Sequence, residues 1–330
     1  MDAFDPDTAS APVAIVAGAS RGLGLEIARQ LVGRGWRVHV LARDADTLRR
    51  AAFGSGPGRA LTHVADVSDA DAVSRVVDLV LADEGRLDAA FHVAGTIQVG
   101  ALDGVTLGHL HEAVDTMLWG PVHLSLAVLP AMRAQGHGRI GVVSSVGGLV
   151  AVPRLLPYSV AKFAAVGLAE GLAAELSGTG VTVTAVTPWL MRTGGHRAAR
   201  FSGAEQADHA WFSLAASLPV LTVPVERAAR RIIDGVLAGR VTVTASPVVG
   251  VVRRVHGLAP ATTVRALGLG ARLLPGTSPR RDWWRRDAPA TDGAALERTA
   301  PRAVTALATL GRRAARRQNE PDPVGAHEPG

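Results

Sequence analysis

The feature that most constrains this chain is a glycine-rich turn between a strand pattern and a helix pattern. Residues 13–17 are a short apolar run, and residues 23–32 carry helical apolar periodicity. The turn between them includes Gly18-Ala19-Ser20-Arg21-Gly22-Leu23-Gly24. Glycines let the backbone approach a pyrophosphate, whose charge is bound by free N–H groups at the helix N-terminus. The arrangement predicts a dinucleotide-binding βαβ unit.

Strand and helix patterns then alternate as far as residue 247. Further strands are predicted at 37–41, 60–65, 87–93, 139–144, 181–186 and 241–245, and further helices at 69–82, 107–132 (broken near Gly120-Pro121), 157–176 and 226–238. Val-rich strands that alternate with helices are typical of a parallel sheet buried on both faces. The sequence therefore predicts an α/β fold over residues 12–247: a doubly wound parallel sheet (Rossmann fold) with helices on both faces.

The segments outside this rhythm have their own expectations. Residues 1–11 are predicted to be a flexible N-terminus, and the irregular stretch at about 190–225 a lid over the substrate. Residues 248–317 are rich in Arg and are predicted to be an irregular, basic, partly helical C-terminal extension. The polar residues 318–330 are predicted to be a disordered tail.

Two residues stand out because the composition otherwise avoids them. Tyr158 is the only Tyr of the chain, and Lys162 is the only Lys beside 34 Arg. Four residues apart on a predicted helix, they share one face. A neighbouring ammonium lowers the pKa of a phenol, which suits a general acid/base. Ser145, at the end of a predicted strand, could hold a substrate oxygen beside that phenol.

These motifs resemble the short-chain dehydrogenase/reductase superfamily over residues 12–245. The matching positions are Gly18, Gly22 and Gly24 of the TGxxxGxG turn (with Ala17 for Thr), Asp66-Val67, His92-Val93-Ala94-Gly95 (for Asn-Asn-Ala-Gly), Ser145, Tyr158 and Lys162, Pro188-Trp189, and Thr193. The resemblance implies an oxidoreductase that interconverts a carbonyl and a secondary alcohol, with Ser145, Tyr158 and Lys162 catalytic. Lys162 would also bind the nicotinamide ribose. The cofactor would contact Gly18, Ser20, Arg21, Gly22, Leu23, Gly24, Arg43, Asp66, Val67, Ala94, Gly95, Tyr158, Lys162, Pro188 and Thr193.

The end of the second predicted strand addresses which nicotinamide cofactor binds. An acid there would repel a 2′-phosphate, but this chain has Ala42-Arg43. Arg43 can form a bidentate pair with a phosphate, and Arg21 of the glycine-rich turn is expected on the same side of the sheet. The sequence therefore predicts NADP(H) in preference to NAD(H).

The substrate side is predicted to be apolar. The expected substrate contacts are Leu149, Leu155, Trp189 and Leu190, supported by apolar residues of the lid. They favour a lipophilic ketone or secondary alcohol; the alternative is that these side chains are core contacts of the lid.

Two departures from the family pattern keep a second interpretation open. Met117 stands where relatives often have an Asn that supports a water chain from the active-site Lys, and His92 replaces another Asn. Ser159, Thr116 or water alone could deliver the proton instead. The alternative function is a cofactor-binding regulator or scaffold with weak catalysis.

Partners and location follow from composition and from the resemblance. A homo-oligomer is expected by family analogy alone. The basic extension favours packing on the domain or a partner, or peripheral contact with an anionic membrane; nucleic-acid binding is the least favoured. Nothing in the sequence predicts a metal site, and a cytoplasmic protein, with membrane association through the extension, is the expectation.

Overall fold

The computed structural model describes residues 11–217, 222–274, 284, 290–301 and 309–320. Residues 1–10 of the predicted flexible segment 1–11, and residues 321–330 of the predicted tail, lie outside the described part of the chain. The first described elements are β1 (Val13–Ala17), α1 (Gly22–Gly33), β2 (Arg37–Ala42), α2 (Ala45–Arg50), β3 (Arg59–Val64), α3 (Ala70–Glu84), β4 (Ala89–His92) and β5 (Gln98–Gly100). There follow α4 (Leu107–Val114), a π-helical turn (Asp115–Trp119), α5 (Gly120–Gln135), β6 (Gly138–Val143), α6 (Leu156–Glu175) and β7 (Val181–Val186).

The second part of the chain contains shorter strands and more helix. Its elements are β8 (Met191–Arg192), β9 (Arg200–Ser202), α7 (Glu205–Ser217), β10 (Val223–Pro224), α8 (Val225–Leu237), β11 (Thr242–Val243), α9 (Pro247–Leu258), α10 (Pro260–Ala271), β12 (Thr291–Asp292), α11 (Gly293–Thr299) and α12 (Thr309–Arg317).

The main sheet confirms the predicted fold class. Among the described residues it has seven strands in the order β3-β2-β1-β4-β6-β7-β11, and every neighbouring pair is parallel. The chain runs outward from β1 to β3 on one side and from β4 to β11 on the other. The order therefore reverses between β1 and β4, where open α/β sheets have their ligand crevice.

Helices cover both faces, and β1 supplies side chains to each. Val13 and Ile15 belong to a buried cluster that includes residues of α3, α5 and α6. Ala14 and Val16 belong to a second cluster that includes residues of α1 and α8. Alternate residues of a strand point to opposite faces, so a strand buried on both faces reads as a continuous apolar run.

The helical stretch after β5 differs from the predicted break at Gly120-Pro121. Helix α4 passes through the π-helical turn directly into α5, and Pro121 falls in the first turn of α5. In the first turn of a helix the missing N–H of Pro is tolerated. The hydrogen bonding therefore changes from α-helical to π-helical and back, and the helical stretch continues.

The predicted irregular lid contains a helix and is joined to the C-terminal extension. Strand β9 pairs with β5 on one side and with β12 on the other. Phe201 of β9 is buried with Phe212 of α7 and Leu296 of α11. The lid and the C-terminal extension therefore share one small buried core.

No described helix is both long enough and apolar enough to cross a bilayer.

Candidate active site

A cavity of about 550 Å³ opens at the carboxyl ends of the central strands. Its walls come from the glycine-rich turn after β1 and from the segments after β2, β3, β4, β6 and β7. Each residue expected to contact the cofactor lines it: Gly18, Ser20, Arg21, Gly22, Leu23, Gly24, Arg43, Asp66, Val67, Ala94, Gly95, Tyr158, Lys162, Pro188 and Thr193. The residues that the motifs predict for the cofactor thus lie together in the crevice at the strand-order reversal.

The glycine-rich turn requires glycine for steric reasons. Gly18 has φ +84°, and a Cβ there would lie 2.4 Å from the backbone N of Ala94. A Cβ on Gly24 would lie 2.2 Å from the carbonyl oxygen of Gly18. The turn therefore folds onto both its own helix and the end of β4, as a close phosphate-binding turn must.

The N-terminus of α1 is suited to an anion. Its N-cap residue, Arg21, makes no side-chain cap, and the first turn contains no acidic residue. Backbone N–H groups at such a position carry partial positive charge. Arg21 and the exposed Arg43 add two guanidinium groups to the same cavity. These groups fit the diphosphate of a dinucleotide.

Asp66 lies two residues after β3 and lines the cavity. Its carboxylate accepts hydrogen bonds from the N–H of Ser68 at 2.9 Å and from the Ser68 hydroxyl at 2.7 Å. Burial opposes ionisation, but these hydrogen bonds and the charge of Arg43 hold the pKa of Asp66 below its usual value. The carboxylate is therefore ionised and fixed in direction.

Tyr158 and Lys162 lie one turn apart on α6, deep in the cavity. The Tyr158 phenol hydrogen-bonds with the Ser145 side chain. The Lys162 Nζ lies 5.7 Å from the centre of the Tyr158 ring and donates to the carbonyl of Val143 at 2.8 Å. The Ser144 hydroxyl donates to the Lys162 carbonyl at 2.8 Å, which ties α6 to the end of β6.

The pKa of the phenol differs in direction from the expectation. Burial raises the pKa of Tyr158, and the hydrogen bond with Ser145 offsets only part of that rise. Burial also lowers the pKa of Lys162 to about 8. The physical reason is that the cavity removes both groups from water, which disfavours the charged form of each. The Lys162 ammonium donates its hydrogen bond to the Val143 carbonyl and not to the phenol oxygen.

A model of the short chain dehydrogenase family matches residues 12–201, which is more than half of the chain. The chain belongs to the short-chain dehydrogenase family.

Three curated relatives show which kinds of protein the chain is similar to. It is 34% identical over 178 residues to an oxidoreductase of Botryotinia fuckeliana (54% of this chain, 65% of the relative). It is 36% identical over 194 residues to a putative ketoacyl reductase of Streptomyces coelicolor (56% and 73%). It is 32% identical over 182 residues to a 3-ketodihydrosphingosine reductase of Bacteroides thetaiotaomicron (55% and 65%). The chain thus spans 65% of the length of the first and third.

Solved structures agree with this family membership. A short-chain dehydrogenase from Streptomyces avermitilis superimposes with a TM-score of 0.67 at 30% identity, over 80% of this chain and 98% of that one. A variant of actinorhodin polyketide ketoreductase with NADPH superimposes with a TM-score of 0.58 at 28% identity, over 70% and 94%.

Within this short-chain dehydrogenase, Met117 is buried beside the catalytic candidates. It lies in the π-helical turn and packs with Ala113, Ala161 and the Tyr158 ring. A Cβ on Gly95 would lie 3.2 Å from the Met117 sulfur and 3.6 Å from Lys162 Nζ. The thioether therefore fills the space next to the lysine with a weak hydrogen-bond acceptor.

His92 is a buried, neutral side chain outside the cavity wall. Burial, and to a lesser degree the charge of Lys162, lowers its pKa to about 3. Its Nε2 has no hydrogen-bond partner within the described part of the chain. A Cβ on Gly120 would lie 2.6 Å from that nitrogen, so the imidazole packs against the start of α5. This placement agrees with a structural role.

The predicted substrate contacts divide into two groups. Trp189 and Leu190 line the cavity. Leu149 and Leu155 do not, and Leu155 is instead buried in the lid core with Phe201. Sequence reasoning placed them near the cavity because they lie between Ser145 and Tyr158, but a side chain's direction within a loop is not readable from spacing.

Among the wall residues that the sequence did not predict, Glu320 is the most distant in the chain from the glycine-rich turn. Glu320 lines the cavity beside the glycine-rich turn, although the sequence predicts disorder from residue 318 onward. The structure instead places Gln318, Asn319 and Glu320 against that turn, where each makes polar contacts. Composition alone carried no signal for it, because the contacts join residues almost the whole chain apart.

Proposed function

We propose that this protein is an NADP(H)-dependent oxidoreductase that interconverts a carbonyl and a secondary alcohol on a lipophilic substrate. The observation that carries the proposal is the hydrogen bond between the half-buried side chains of Tyr158 and Ser145, in a cavity that the glycine-rich turn also lines. Lys162 is buried on the same helix face. A proton donor, an oxygen-holding hydroxyl and a phosphate-binding turn in one crevice suit hydride transfer with proton transfer.

In the reduction direction, the residues of this chain handle the oxygen. The Ser145 hydroxyl positions the substrate carbonyl, and the Tyr158 phenol donates a proton to its oxygen. A raised phenol pKa keeps that proton on Tyr158 until the substrate arrives. The nicotinamide, when bound, supplies the hydride to the carbonyl carbon.

Lys162 has two roles in this proposal. Its ammonium is available to hydrogen-bond the ribose hydroxyls of a bound nucleotide, because it uses one donor on Val143. Its charge stabilises the phenolate left on Tyr158 after proton transfer. Since the lysine pKa is about 8, the charge is present at neutral pH.

Two routes remain for returning a proton to Tyr158. Thr116 lines the cavity, next in sequence to Met117. Ser159 is buried outside the lining, where its hydroxyl accepts from the N–H of Val152 at 3.4 Å. Thr116 with water is therefore the route we favour.

The decisive test compares Tyr158→Phe with the unaltered protein in NADPH oxidation across a panel of carbonyl compounds. We expect turnover to fall by about 10²- to 10⁴-fold, the usual worth of a positioned acid, while NADPH binding persists. Retained turnover in Tyr158→Phe would overturn the assignment. Ser145→Ala serves as a second variant that keeps the phenol but removes the oxygen-holding hydroxyl.

The preference for NADP(H) rests on Arg21 and Arg43 in the cavity and on the absence of an acid at Ala42. Arg43→Ala should weaken NADPH binding by about tenfold or more, as loss of a charge-assisted contact implies, and leave NADH binding nearly unchanged. Arg59→Ala, an exposed arginine of β3 outside the cavity lining, is the control. Equal efficiency with NADH in the unaltered protein would remove the preference.

A lipophilic substrate is supported by the apolar side of the cavity, which includes Ile97, Trp189, Leu190, Met191 and Phe212. We expect kcat/KM to rise with the length of an alkyl chain on a ketone substrate. A panel in which small carboxylated or phosphorylated carbonyls are preferred would contradict this.

A scaffold with weak catalysis is the competing function, and the buried Met117 beside Lys162 favours it. The same NADPH oxidation assay separates the two. Tight NADPH binding with no oxidation by any carbonyl compound would support the scaffold.

Helices α9 and α10 support peripheral contact with an anionic membrane. Their exposed apolar side chains are Val248, Val251, Val255, Leu258, Val264 and Leu269, and the exposed Arg253, Arg254 and Arg265 accompany them. The two helices contain no acidic residue. Apolar surface mixed with arginine suits the headgroup region of an anionic bilayer.

Flotation with vesicles tests this contact. The unaltered protein should float with phosphatidylserine-containing vesicles and not with phosphatidylcholine alone. The double variant Leu258→Glu with Leu269→Glu should stay at the bottom of the gradient. Leu79→Glu, at an exposed apolar position on α3, should float like the unaltered protein. Equal flotation of the unaltered protein and both variants would exclude this surface.

Self-association through α4–α6 is the remaining partner proposal. These helices expose Leu107, Trp119, Leu126, Leu156, Val160 and Phe163. We expect light scattering to give at least a dimer and Phe163→Glu to reduce the mass. A monomeric unaltered protein would contradict it.

A further inference from the structure

Residues 318–320 bring the end of the described chain back to the glycine-rich turn. The N–H of Gly22 donates to the carbonyl of Gln318 at 2.8 Å. The Asn319 amide donates to the carbonyls of Ser20 at 2.8 Å and of Thr47 at 2.9 Å. Asn319 has φ +55°, a left-handed conformation that Asn tolerates. These contacts hold residues 318–319 against the turn before α1 and against Thr47 of α2.

The Glu320 side chain completes this contact from within the cavity. It is 9% exposed, and its Oε2 lies 3.7 Å from Arg21 Nε without a hydrogen-bond partner among the described residues. A Cβ on Gly22 would lie 3.1 Å from Glu320 Oε1. The carboxyl group therefore occupies the space directly over the N-terminus of α1.

That space is where the proposed function needs the cofactor. The Gly22 N–H is one of the helix N-terminal donors that bind a diphosphate, and Arg21 is one of the two arginines in reach of a phosphate. Gln318 uses the first and Glu320 pairs with the second. A diphosphate and an ionised carboxylate at the same helix N-terminus would also repel each other.

We propose that Gln318, Asn319 and Glu320 are an intramolecular competitor of the nicotinamide dinucleotide, which must displace the Glu320 carboxyl from the Arg21–Gly22 end of the cavity. This inference rests on the proposed function. Cofactor affinity is then reduced by the fraction of molecules in which the segment is docked. The segment that the family model matches ends at residue 201. Residues beyond it thereby reduce the affinity of the cofactor cavity for the dinucleotide.

The competition depends on pH through Glu320. Burial raises the pKa of Glu320 to about 7, against the lowering effect of Arg21 and Arg197. The other charged groups near the segment are Glu26, which accepts from the Gln318 amide at 3.4 Å, and Arg29, which donates to the Arg317 carbonyl at 2.9 Å. Arg43 and Asp44 line the same cavity from the end of β2. An acid with a raised pKa takes up a proton on docking, so docking is strongest below the usual pKa of 4.5 and weakens as the pH rises from there to about 7.

Equilibrium titration with NADPH, followed by fluorescence, tests the proposal on the full chain. The variants are Glu320→Ala, and Asn319→Gly, which keeps the left-handed backbone but removes both amide hydrogen bonds. Glu175→Ala at the exposed end of α6 is the matched control. We expect the Kd for NADPH to fall by about three- to tenfold in the first two and to stay unchanged in the control. The gain from Glu320→Ala should be larger at pH 6 than at pH 8.5.

Limited trypsin digestion gives a second readout that needs no turnover. Arg316 and Arg317 are exposed, but the docked backbone around them is held by Arg29. Cleavage there should speed up when NADPH is added to the unaltered protein, and it should already be fast in Glu320→Ala. An unchanged or raised Kd in Glu320→Ala, or no NADPH binding by any of the four proteins, would overturn the proposal.

The outcomes also separate this inference from the proposed function. A protein that reduces carbonyls while its variants show an unchanged Kd loses only the competitor. Variants with a lowered Kd in a protein that reduces no carbonyl leave the competitor in place and remove the oxidoreductase.

Discussion

The ammonium of Lys162 donates to the carbonyl of Val143 at 2.8 Å, at the carboxyl end of β6. The only lysine of the chain is therefore held by a strand backbone, 4% exposed, with no acidic side chain as its partner among the described residues. A buried ammonium without a carboxylate destabilises the fold, so its retention indicates a functional need.

Replacing that lysine should separate stability from activity. In Lys162→Met the aliphatic part of the side chain is kept and the charge is lost, so we expect an unchanged or higher Tm at pH 7 and loss of turnover. The gain is at most about 3 kcal/mol, since one pKa unit is worth about 1.4 kcal/mol, and the unmade bond to Val143 reduces it.

The sign of its pH dependence follows from the lowered pKa. Below pH 8 both folded and unfolded lysine are charged, and the cost of burial is fully present; it fades as the pH rises towards 10.5. Thermal melts at pH 7 and pH 10 check this. A large drop in Tm in Lys162→Met at pH 7 would contradict a destabilising charge.

Gly18→Ala should be severely destabilising. The residue has φ +84°, and a Cβ would overlap the backbone of Ala94. Left-handed strain and overpacking together predict a loss of about 2–5 kcal/mol in the free energy of unfolding. Gly33→Ala, where a Cβ meets nothing within 4 Å, should be neutral or slightly stabilising. Urea denaturation of both variants measures the difference, and equal stabilities would refute the steric argument.

Met117→Asn should raise kcat several-fold and lower stability. An amide beside Lys162 supplies a donor and an acceptor where the thioether offers little. The lost packing against Ala113 and Ala161 should lower the free energy of unfolding by about 1–3 kcal/mol. Met117→Leu keeps the packing without hydrogen bonds and should leave kcat unchanged. If Asn and Leu gave the same kcat, proton return would not limit turnover.

His92 predicts a specific loss of stability in acid. Its pKa is lowered from 6.5 to about 3, so the unfolded chain takes up a proton below pH 6.5 while the folded protein resists until about pH 3. Stability is therefore complete above pH 6.5 and falls across that window, by up to about 5 kcal/mol. His92→Asn should show a smaller drop between pH 7 and pH 4 in chemical denaturation. The pKa values of His39, His63 and His209 are also lowered, and this common background cancels in the comparison.

The strands of the main sheet and the residues of the cavity could largely be predicted from sequence. The strands Val13–Ala17 and Val181–Val186 match the predicted bounds, because both are buried on both faces and bounded by turns. The cofactor-side residues line one cavity because strand ends of a parallel sheet meet at one edge. In both cases a local sequence pattern determines where the residues lie in the fold.

What sequence could not predict depends on non-local contacts. The short strands β5, β9 and β12 exist only because they pair with one another, and they carry no periodicity of their own. The direction of Leu155 follows from the lid core. The ordered Asn319 depends on a partner 299 residues away.

The contact between the glycine-rich turn and residues 318–320 has a consequence for biosynthesis. The whole parallel sheet is complete once Val243 has left the ribosome, whereas Gln318 to Glu320 are made much later. A nascent chain can therefore fold its sheet and meet cellular nucleotide before its own competitor exists. The crevice of a newly made molecule is therefore open until Gln318, Asn319 and Glu320 have been made.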